Sequence, residues 1–416
     1  MELLYNLGIG LYSLILRLIS PFHSKARLWV QGRKGLFVTI EQTVEKGSQP
    51  IWFHFASLGE FEQGRAVMEA IKKKYPSEKI LITFFSPSGY EIRKNTALAD
   101  YVFYLPTDTA RHARRFIALV QPKMAIFTKY EYWHHYFKTL QKKDIPLYMI
   151  SAIFREKQIF FKWYGGFFRS ILKRVTFFFT QDHDSVLWLK SIGIIRTGLA
   201  GDTRFDRVVS LPQQKQEIPI VEDFLGEAKE ILVAGSTWLP DEHLLAELVS
   251  ARSHLKMLLA PHEIDENHLQ AIKELFPSAL FYSTYNQYGP VEKSEAQVLV
   301  IDNIGMLSSL YGYGQVAYIG GGFGAGIHNT LEAATYGIPV LFGPKYANFK
   351  EAVDLIEKGA GFSIQQVSEL IAVYGALTNS EKRRLAGDRA EAYVRHQAGA
   401  TQIIIKYLEN TGLLAP

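Results

Sequence analysis

One acidic residue, Glu60, follows a segment that has the pattern of a buried strand. The segment Ile51–Ala56 is almost wholly apolar, and a short Ser-Leu-Gly turn separates it from Glu60. In open α/β sheets the carboxyl ends of the strands border the ligand-binding crevice. A carboxylate at that position can remove a proton from a hydroxyl group as a general base. Ser57 and Glu60 also have the spacing of a helix capping box, and spacing alone favours that structural role.

A glycine-rich stretch in the second half of the chain points to phosphate binding. It follows a predicted strand, Val316–Ile319, and precedes a predicted helix. Glycines let the backbone approach a phosphate closely, and a helix N-terminus offers free N–H groups. The order of the glycines matches neither a dinucleotide fingerprint nor a P-loop. We therefore predict a ligand-binding loop that contains Gly320, Gly321, Gly322, Gly324 and Gly326.

Three polar residues, His328, Asn329 and Glu332, open the helix after these glycines. Asn329 and Glu332 have the spacing of a capping box. The functional alternative is that Glu332 accepts hydrogen bonds from a ribose diol. Because the glycines exceed what a turn requires, we favour ligand binding here.

Two further turns after predicted strands carry polar side chains. Ser236 and Thr237 can bind a phosphate or cap the following helix, and the sequence leaves both roles equally open. Lys129 and Glu131 follow the predicted strand Met124–Thr128. For these two residues an ion pair is the favoured interpretation.

Metal and thiol chemistry have little support in this sequence. It contains no cysteine, so disulfides and a thiol nucleophile are excluded. His262, next to Pro261, resembles neither a zinc-binding helix nor a catalytic triad. His134 and His135 are adjacent and cannot share one helix face. We therefore predict no metal site.

The elements that would position these residues alternate between short apolar strands and helices. This alternation is typical of parallel sheets with crossover helices, so the predicted fold class is α/β, with two Rossmann-like domains facing each other across a cleft. The predicted strands are Ile51–Ala56, Ile80–Phe85, Tyr101–Leu105, Met124–Thr128, Leu147–Ile150 and Thr176–Thr180, then Ile231–Ala234, Met257–Ala260, Ala279–Tyr282, Val298–Ile301, Val316–Ile319 and Val340–Phe342.

Composition suggests where these domains begin and end. Residues 206–226 are polar and contain two prolines, so we predict a linker there. The linker would separate an N-terminal domain over 23–205 from a C-terminal domain over 227–385. Residues 386–416 are predicted to form a C-terminal helix that packs back across the linker.

The start of the chain has the length and composition of a membrane segment. Leu3–Phe22 is mostly apolar and long enough to span a bilayer. Its polar residues fall on one stripe at helical spacing, so it could also lie in the membrane interface. A basic flank follows, which would keep the bulk of the chain in the cytoplasm if the segment spans. We favour a membrane-anchor helix over 1–22 rather than a buried first helix.

A second stretch mixes aromatic and basic residues. Phe160–Tyr164 is followed by Phe167–Arg169 and by Lys173 and Arg174. Such a mixture suits the headgroup layer of a membrane. An amphipathic helix that covers a sheet explains the same pattern equally well.

Charge and composition limit the functional classes. Of the 416 residues, 48% are hydrophobic and 21% are charged, which is typical of a folded protein. The net charge of +5 is compatible with anionic ligands or a membrane surface but too small to indicate nucleic-acid binding.

Several of these segments together resemble a known family, the 3-deoxy-D-manno-octulosonic acid (Kdo) transferases of lipopolysaccharide synthesis. The resemblance runs in matching order over nearly the whole chain and includes the N-terminal anchor. Its motifs are Ala56–Glu60, Gly320–Glu332, Gly337–Pro344 and Asn348–Glu351.

The resemblance implies an inverting, metal-independent GT-B glycosyltransferase without a cofactor. The donor would be CMP-Kdo, the acceptor the glucosamine disaccharide of a lipid A precursor, and the location the cytoplasmic face of the bacterial inner membrane. By the family pattern Glu60 is the general base, and Glu131 and Lys129 lie on the acceptor side. The CMP group would be held by Ser236, Thr237, Pro261, His262, Gly320, Gly321, Gly322, Gly324, Gly326, His328, Asn329 and Glu332.

The sequence also departs from the family pattern. Lys129 stands where the first of two acids is usual, and His262 follows Pro261 where an arginine is usual. Two alternative functions therefore stay open. One is another GT-B nucleotide-sugar enzyme, such as a transferase with a different donor or a sugar-nucleotide epimerase. The other is a non-catalytic, membrane-attached protein that binds nucleotide or lipid.

Overall fold

The strands of this chain form two parallel sheets of seven strands each. The computed structural model describes residues 1–414 and divides the chain into two units. The first unit comprises Met1–Arg207 and the residues from Ala398 onward, and the second comprises Val208–Gln397. The predicted pair of α/β domains built on parallel sheets is confirmed.

The first sheet has the strand order β3-β2-β1-β4-β5-β6-β7. Its central strands are apolar on both faces because helices cover each side of a parallel sheet. Every residue of β1, β2, β4 and β5 is buried. The strands are β1 Ile51–Phe55, β2 Ile80–Phe84, β3 Tyr101–Tyr104, β4 Met124–Thr128, β5 Leu147–Ala152, β6 Phe177–Thr180 and β7 Thr197–Leu199.

Ten helices begin within Met1–Arg207, the longer of the two segments of the first unit. They are α1 Glu2–Ile19, α2 Ser24–Gln31, α3 Leu36–Thr43, α4 Leu58–Lys74, α5 Pro87–Arg93, α6 Ala110–Val120, α7 His134–Lys142, α8 Gly166–Leu172, α9 His183–Ser191 and α10 Thr203–Val209. A 3₁₀ turn lies at Ile159–Phe161.

The second sheet has the order β10-β11-β9-β8-β12-β13-β14. Its strands are β8 Glu230–Thr237, β9 Leu255–Pro261, β10 Leu280–Phe281, β11 Val298–Val300, β12 Val316–Ile319, β13 Val340–Phe342 and β14 Gly361–Ser363. Its helices are α11 Pro219–Leu225, α12 Leu239–Ala251, α13 Glu266–Leu275, α14 Pro290–Glu295, α15 Leu307–Leu310, α16 Leu331–Ala334, α17 Lys350–Glu357, α18 Val367–Leu377 and α19 Ser380–Gln397. Three 3₁₀ turns lie at Pro212–Gln214, Tyr282–Gln287 and Tyr311–Tyr313.

Each predicted strand is present, but two edge strands were not predicted. These are β7 and β14, which have three residues each and include Gly198 and Gly361. Short strands that contain glycine lack the β-branched and aromatic runs from which strands are recognised. Pairing with the neighbouring strand therefore defines them, rather than their own composition.

The segment predicted as a linker, 206–226, is largely helical. It contains the end of α10, the 3₁₀ turn Pro212–Gln214 and helix α11, and the second unit already begins at Val208. The predicted C-terminal helix over 386–416 is divided between α19 and a last helix, α20 Ala400–Asn410. Helix α20 returns to the first unit, where Ile404 and Leu408 join the core beneath β1 and β5.

Helix α1 lies on the first unit through its polar stripe. The Tyr5 hydroxyl donates a hydrogen bond of 2.5 Å to Asp108, and the His135 ring donates one of 2.6 Å to the side-chain oxygen of Asn6. None of its residues is buried, so the alternative of a buried first helix is wrong. In the described part of the chain it is the one helix long and apolar enough to cross a membrane. The outward residues Leu3, Leu7, Leu11 and Leu18 are all more than half exposed.

The second aromatic stretch divides between core and surface. Phe160 is buried, whereas Trp163 is 90% exposed and the neighbouring Tyr164 is 57% exposed. The stretch therefore contains both a packed residue and an outward aromatic pair, and its contact with a membrane headgroup layer stays a prediction.

The return of α20 generates a test of stability. Ile404 is fully buried, so Ile404→Ala should lower the free energy of unfolding of the first unit by about 2–5 kcal/mol, the usual cost of deleting a buried branched side chain. Ile403→Ala is the matched control because its side chain is 47% exposed. Urea unfolding should separate the two variants, and equal stabilities would show that α20 does not contribute to this core.

Candidate active site

Glu60 lies in the first turn of α4, just beyond the end of β1. Its carboxylate accepts a hydrogen bond of 2.5 Å from the backbone N–H of Ala56 and lies 3.5 Å from the hydroxyl of Thr128, the last residue of β4. The capping box favoured from spacing does not form, since the Ser57 side chain makes no capping bond in the described structure. The carboxylate instead turns back over the carboxyl ends of β1 and β4.

The surroundings of Glu60 make it a weak acid. Burial raises its pKa to about 7, and the nearby negative charge of Glu131 acts in the same direction. The Ala56 N–H, the charge of Lys129 and the Thr128 hydroxyl favour the ionised form but compensate only in part. A carboxyl group with a pKa near 7 is suited to accept a proton at neutral pH.

Glu131 is held by two ring N–H groups. The His54 Nε2 lies 3.1 Å from its carboxylate, and the Trp133 indole donates a hydrogen bond of 2.8 Å to the same oxygen. The positive charge of Lys129 lowers the pKa of Glu60. The expected ion pair between Lys129 and Glu131 stays a prediction.

The turn between β4 and α7 positions Glu131. Lys129 has a φ of +46°, a left-handed conformation that is uncommon for a side chain of this size. Its N–H remains bonded to the carbonyl of Ile150 on the neighbouring strand, 3.2 Å away. The chain thus turns directly after the carboxyl end of β4. Backbone strain of this kind is concentrated at functional sites.

His54 is a site residue that sequence analysis missed. It is fully buried in the middle of β1, and its Nδ1 lies 2.8 Å from the hydroxyl of Thr83 on β2. Trp52 donates a 2.8 Å hydrogen bond to the same hydroxyl. The sequence did contain a signal for His54, which is the one polar side chain inside an otherwise apolar strand. Such a buried polar side chain requires hydrogen-bond partners, and these can belong to a functional site.

The glycine loop of the second unit is tightly packed against its neighbours. A Cβ atom at Gly320 would lie 2.3 Å from the backbone oxygen of Ser236, and one at Gly322 would lie 2.6 Å from the backbone of Gly343. Gly321 has a φ of +90° and Gly326 a φ of +142°, values that L side chains rarely adopt. Packing and backbone conformation therefore explain four of the five glycines. Gly324 is exposed and has room for a side chain.

Asp241, which sequence analysis did not select, fixes the beginning of this loop. It is 1% exposed and accepts hydrogen bonds from the N–H of Gly321 at 2.9 Å, the N–H of Trp238 at 3.0 Å and the hydroxyl of Tyr318 at 2.9 Å. One carboxylate thus joins the start of α12, the strand β12 and the glycine loop.

Three rings stack beside the loop. Trp238 and His262 have centroids 4.8 Å apart, and the rings of His262 and His328 are stacked at 4.2 Å. The Trp238 indole donates a 3.1 Å hydrogen bond to Nε2 of His328. Burial, together with the adjacent His262, lowers the pKa of His328 to about 4, so its ring is neutral at pH 7. The structure therefore brings two predicted histidines together with a tryptophan that was not predicted.

The predicted hydroxyl residues have different surroundings. The Thr237 hydroxyl is buried and donates a 2.8 Å hydrogen bond to Glu242. Ser236 is partly exposed and has a φ of +53°. Pro261 is buried at the end of β9, and the N–H of the adjacent His262 bonds to the Thr237 carbonyl at 2.9 Å. Only Ser236 therefore presents a partly exposed hydroxyl to a ligand.

Asn329 and Glu332 are joined at the start of α16. The side-chain oxygen of Asn329 accepts a hydrogen bond from the Leu331 N–H at 3.1 Å, and its amide donates one of 3.0 Å to Glu332. Asn329 thus stabilises a local turn and orients the Glu332 carboxylate. The N-cap of α16 is Thr330, so the capping box that the spacing of Asn329 and Glu332 suggested is not the one that begins this helix.

One group of residues in the described chain could hold a metal ion. Ligand atoms of Glu2, His134 and His135 all lie within 4.8 Å of one another. Glu2 already pairs with Lys138 at 3.0 Å, and His135 bonds to Asn6. An ion at this position would have to displace both contacts.

The two parallel-sheet units have a GT-B-like fold. The chain is similar to a crystal structure of UDP-GlcNAc 2-epimerase from Neisseria meningitidis, with a TM-score of 0.61 and 15% sequence identity. The match covers 87% of this chain and 100% of that chain. At this identity the likeness shows the fold alone.

The sequence comparisons match the same family as the motifs. Residues 30–207 match the family model for 3-deoxy-D-manno-octulosonic-acid transferase (kdotransferase). The chain is 26% identical to the 3-deoxy-D-manno-octulosonic acid transferase of Aquifex aeolicus, over 80% of this chain and 87% of that protein. It is 24% identical to the Haemophilus influenzae transferase, over 87% of each. The resemblance to the Kdo transferase family is therefore confirmed.

The packing of the glycine loop can be tested directly. Gly322→Ala should destabilise the second unit by about 1–3 kcal/mol, because the added Cβ overpacks against the backbone of Gly343. Gly324→Ala is the matched control, since its Cβ would make an ordinary 3.5 Å contact. Urea unfolding measures both variants, and a Gly322→Ala protein as stable as the control would contradict this account of the loop.

Proposed function

We propose that this protein transfers Kdo from CMP-Kdo to the glucosamine disaccharide of a lipid A precursor. The resemblance to the Kdo transferase family supports the donor sugar and the reaction class. The observation that carries the proposal is the Glu60 carboxyl, whose pKa is raised to about 7 by burial at the carboxyl end of the first sheet. This environment gives a general base that is ionised in part at neutral pH and is screened from bulk water.

In the proposed reaction Glu60 removes the proton from an acceptor hydroxyl. The hydroxyl oxygen attacks the anomeric carbon of Kdo from the face opposite the phosphate, so the configuration inverts. As the bond to CMP breaks, the sugar gains oxocarbenium character and negative charge grows on the phosphate. Glu131 and Lys129 tune the base from opposite sides, the first raising and the second lowering its pKa.

The second unit is proposed to bind the CMP group. Among the described residues, the backbone N–H groups of Phe323 and Ala325 donate to no protein acceptor and are available to the phosphate. Ser236 supplies a partly exposed hydroxyl, and Glu332, oriented by Asn329, suits a ribose diol. We propose that these groups stabilise the leaving phosphate without a metal ion.

Membrane attachment completes the proposal. The outward face of α1 is apolar over its whole length, and Lys25 and Arg27 follow on the exposed surface. An apolar face beside cations suits the cytoplasmic surface of the bacterial inner membrane, where an acylated acceptor would be found. The exposed pair Trp163 and Tyr164 suits the headgroup layer.

The first test removes the base. Glu60→Gln should lower kcat/KM for transfer by about 10²- to 10⁴-fold, the usual contribution of a general base. Affinity for CMP, measured by calorimetry, should be unchanged because the proposed nucleotide contacts lie in the second unit. The assay incubates the protein with CMP-Kdo and a lipid A precursor and weighs the product.

Glu69→Gln provides the control for this test. Glu69 lies on the same helix α4 but is paired with Arg65 at 2.7 Å, so its loss should leave transfer unchanged. Near wild-type turnover by Glu60→Gln would refute the base assignment. Turnover of a UDP-sugar in place of CMP-Kdo would instead favour the epimerase or another GT-B enzyme.

The pH dependence provides an independent test. Below about pH 7 the Glu60 carboxyl takes up a proton, so kcat/KM should fall as pH decreases and level off above that value. Glu131→Gln removes a negative charge and should move this fall to lower pH. Lys129→Met removes a positive charge and should move it to higher pH. Shifts in the opposite directions, or none, would show that another group controls the profile.

A further inference from the structure

A chamber of about 370 Å³ lies within the first unit, between the anchor helix and the sheet. Helix α1 contributes Ile9, Tyr12 and Ser13, and helix α2 contributes Trp29. Phe85, just after β2, and Trp133, just before α7, form the opposite wall.

The walls of this chamber are aromatic surfaces in mutual contact. The rings of Tyr12 and Phe85 are stacked with centroids 6.0 Å apart, and those of Phe85 and Trp133 are 5.0 Å apart. Trp29 meets the edge of Tyr12 at 5.9 Å. Rigid rings around a preformed space favour an apolar ligand, because little side-chain entropy is lost on binding.

A second chamber, of about 420 Å³, adjoins the first and shares Ser13, Trp29 and Thr107 with it. Its lining combines apolar residues, such as Leu36 and Phe37, with the three cations Arg17, Arg33 and Lys34. Arg33 is committed to the carbonyl oxygens of Leu105 and Phe85. Arg17 and Lys34 are exposed and, within residues 1–414, form no ion pair. Their charge is therefore available to an anionic group.

The apolar chamber also abuts the candidate active site. Trp133 lines the chamber, and its indole N–H donates the 2.8 Å hydrogen bond to Glu131. Glu131 in turn is close enough to raise the pKa of Glu60. At the other end, the chamber is continuous with α1, whose exposed face includes Leu11 and Ile15. A chain that entered from the membrane side would therefore end beside Trp133, whose indole bonds to Glu131.

We infer that this chamber receives an acyl chain of the acceptor, while Arg17 and Lys34 of the adjoining chamber bind the phosphate of the same molecule. The inference rests on the proposed function and names the feature of the acceptor that the enzyme recognises. The chain buries apolar surface against Ile9, Tyr12 and Trp29, and the phosphate replaces bulk counterions near the two cations. The acceptor hydroxyl is thus delivered from an anchored lipid rather than from solution.

The test fills the chamber with a larger side chain and compares the activity with an acylated and a deacylated acceptor. Ile9→Trp should lower kcat/KM about tenfold or more with an acylated, phosphorylated glucosamine disaccharide, since several buried methylene groups lose their site. With the same disaccharide after removal of its acyl chains, the change should stay within about twofold. Ile15→Trp is the matched control, because Ile15 lies on the exposed face of α1 and does not line the chamber.

A binding measurement separates this inference from the proposed function. In a Trp163→Phe background, a brominated fatty acid should quench tryptophan fluorescence through Trp29 and Trp133, and Ile9→Trp should reduce the affinity for this probe. Competition by the acylated acceptor supports the inference, whereas competition by phospholipid vesicles alone overturns it and makes the chamber a membrane-lipid site.

The remaining outcomes are equally distinct. Equal loss of activity with both acceptors, or the same loss in Ile15→Trp, would overturn the acyl-chain site while leaving transfer of Kdo intact. If the unsubstituted protein transfers no Kdo to either acceptor yet still binds the brominated probe, the proposed function fails. The chamber is then an acyl-binding site of a different protein activity, and the inference about the acceptor falls with it.

Discussion

The candidate active site of the first unit depends on two carboxylates, those of Glu60 and Glu131, that lie close together at the carboxyl ends of β1 and β4. Glu131 receives two ring N–H groups, from His54 and Trp133. Glu60 receives one backbone N–H and a distant hydroxyl. Burial, together with the nearby negative charge of Glu131, raises the pKa of Glu60 to about 7. Two residues of the same type thus have different hydrogen-bond partners at the same end of the sheet.

The sequence predicted the strands and the position of Glu60 just after β1, because both depend on local patterns. The role of Glu60 as a base stays a prediction. Apolar runs identified the interior strands of both sheets, and the position of Glu60 after β1 followed from the strand itself. It did not predict the partners of Glu131. His54 and Thr83 come from other parts of the chain, and only the pairing of β1 with β2 and β4 brings His54 to Glu131. Trp133 lies two residues from Glu131, but the spacing alone does not show that its indole bonds to that carboxylate.

The glycine loop shows why composition is an ambiguous indicator of ligand binding. Gly320 and Gly322 are required where two backbones meet, and Gly321 is required by its positive φ. These demands arise from the fold and exist without any ligand. The features that favour phosphate binding are instead the available N–H groups of Phe323 and Ala325 and the orientation of Glu332. Asp241 could not be recognised in advance, because its three partners lie on separate elements.

Helix α1 and the candidate active site belong to one hydrogen-bonded assembly. Asp108 accepts bonds from the first amides of α7, those of His135 and Tyr136, each at 3.0 Å. Tyr5 of α1 donates to the same Asp108 and accepts a 3.3 Å bond from the N–H of His134. Free N–H groups at a helix start require such partners. Trp133, which immediately precedes α7, is thereby fixed in front of Glu131. A continuous series of contacts within the first unit thus connects α1 through Asp108 and the start of α7 to Trp133, whose indole bonds to Glu131.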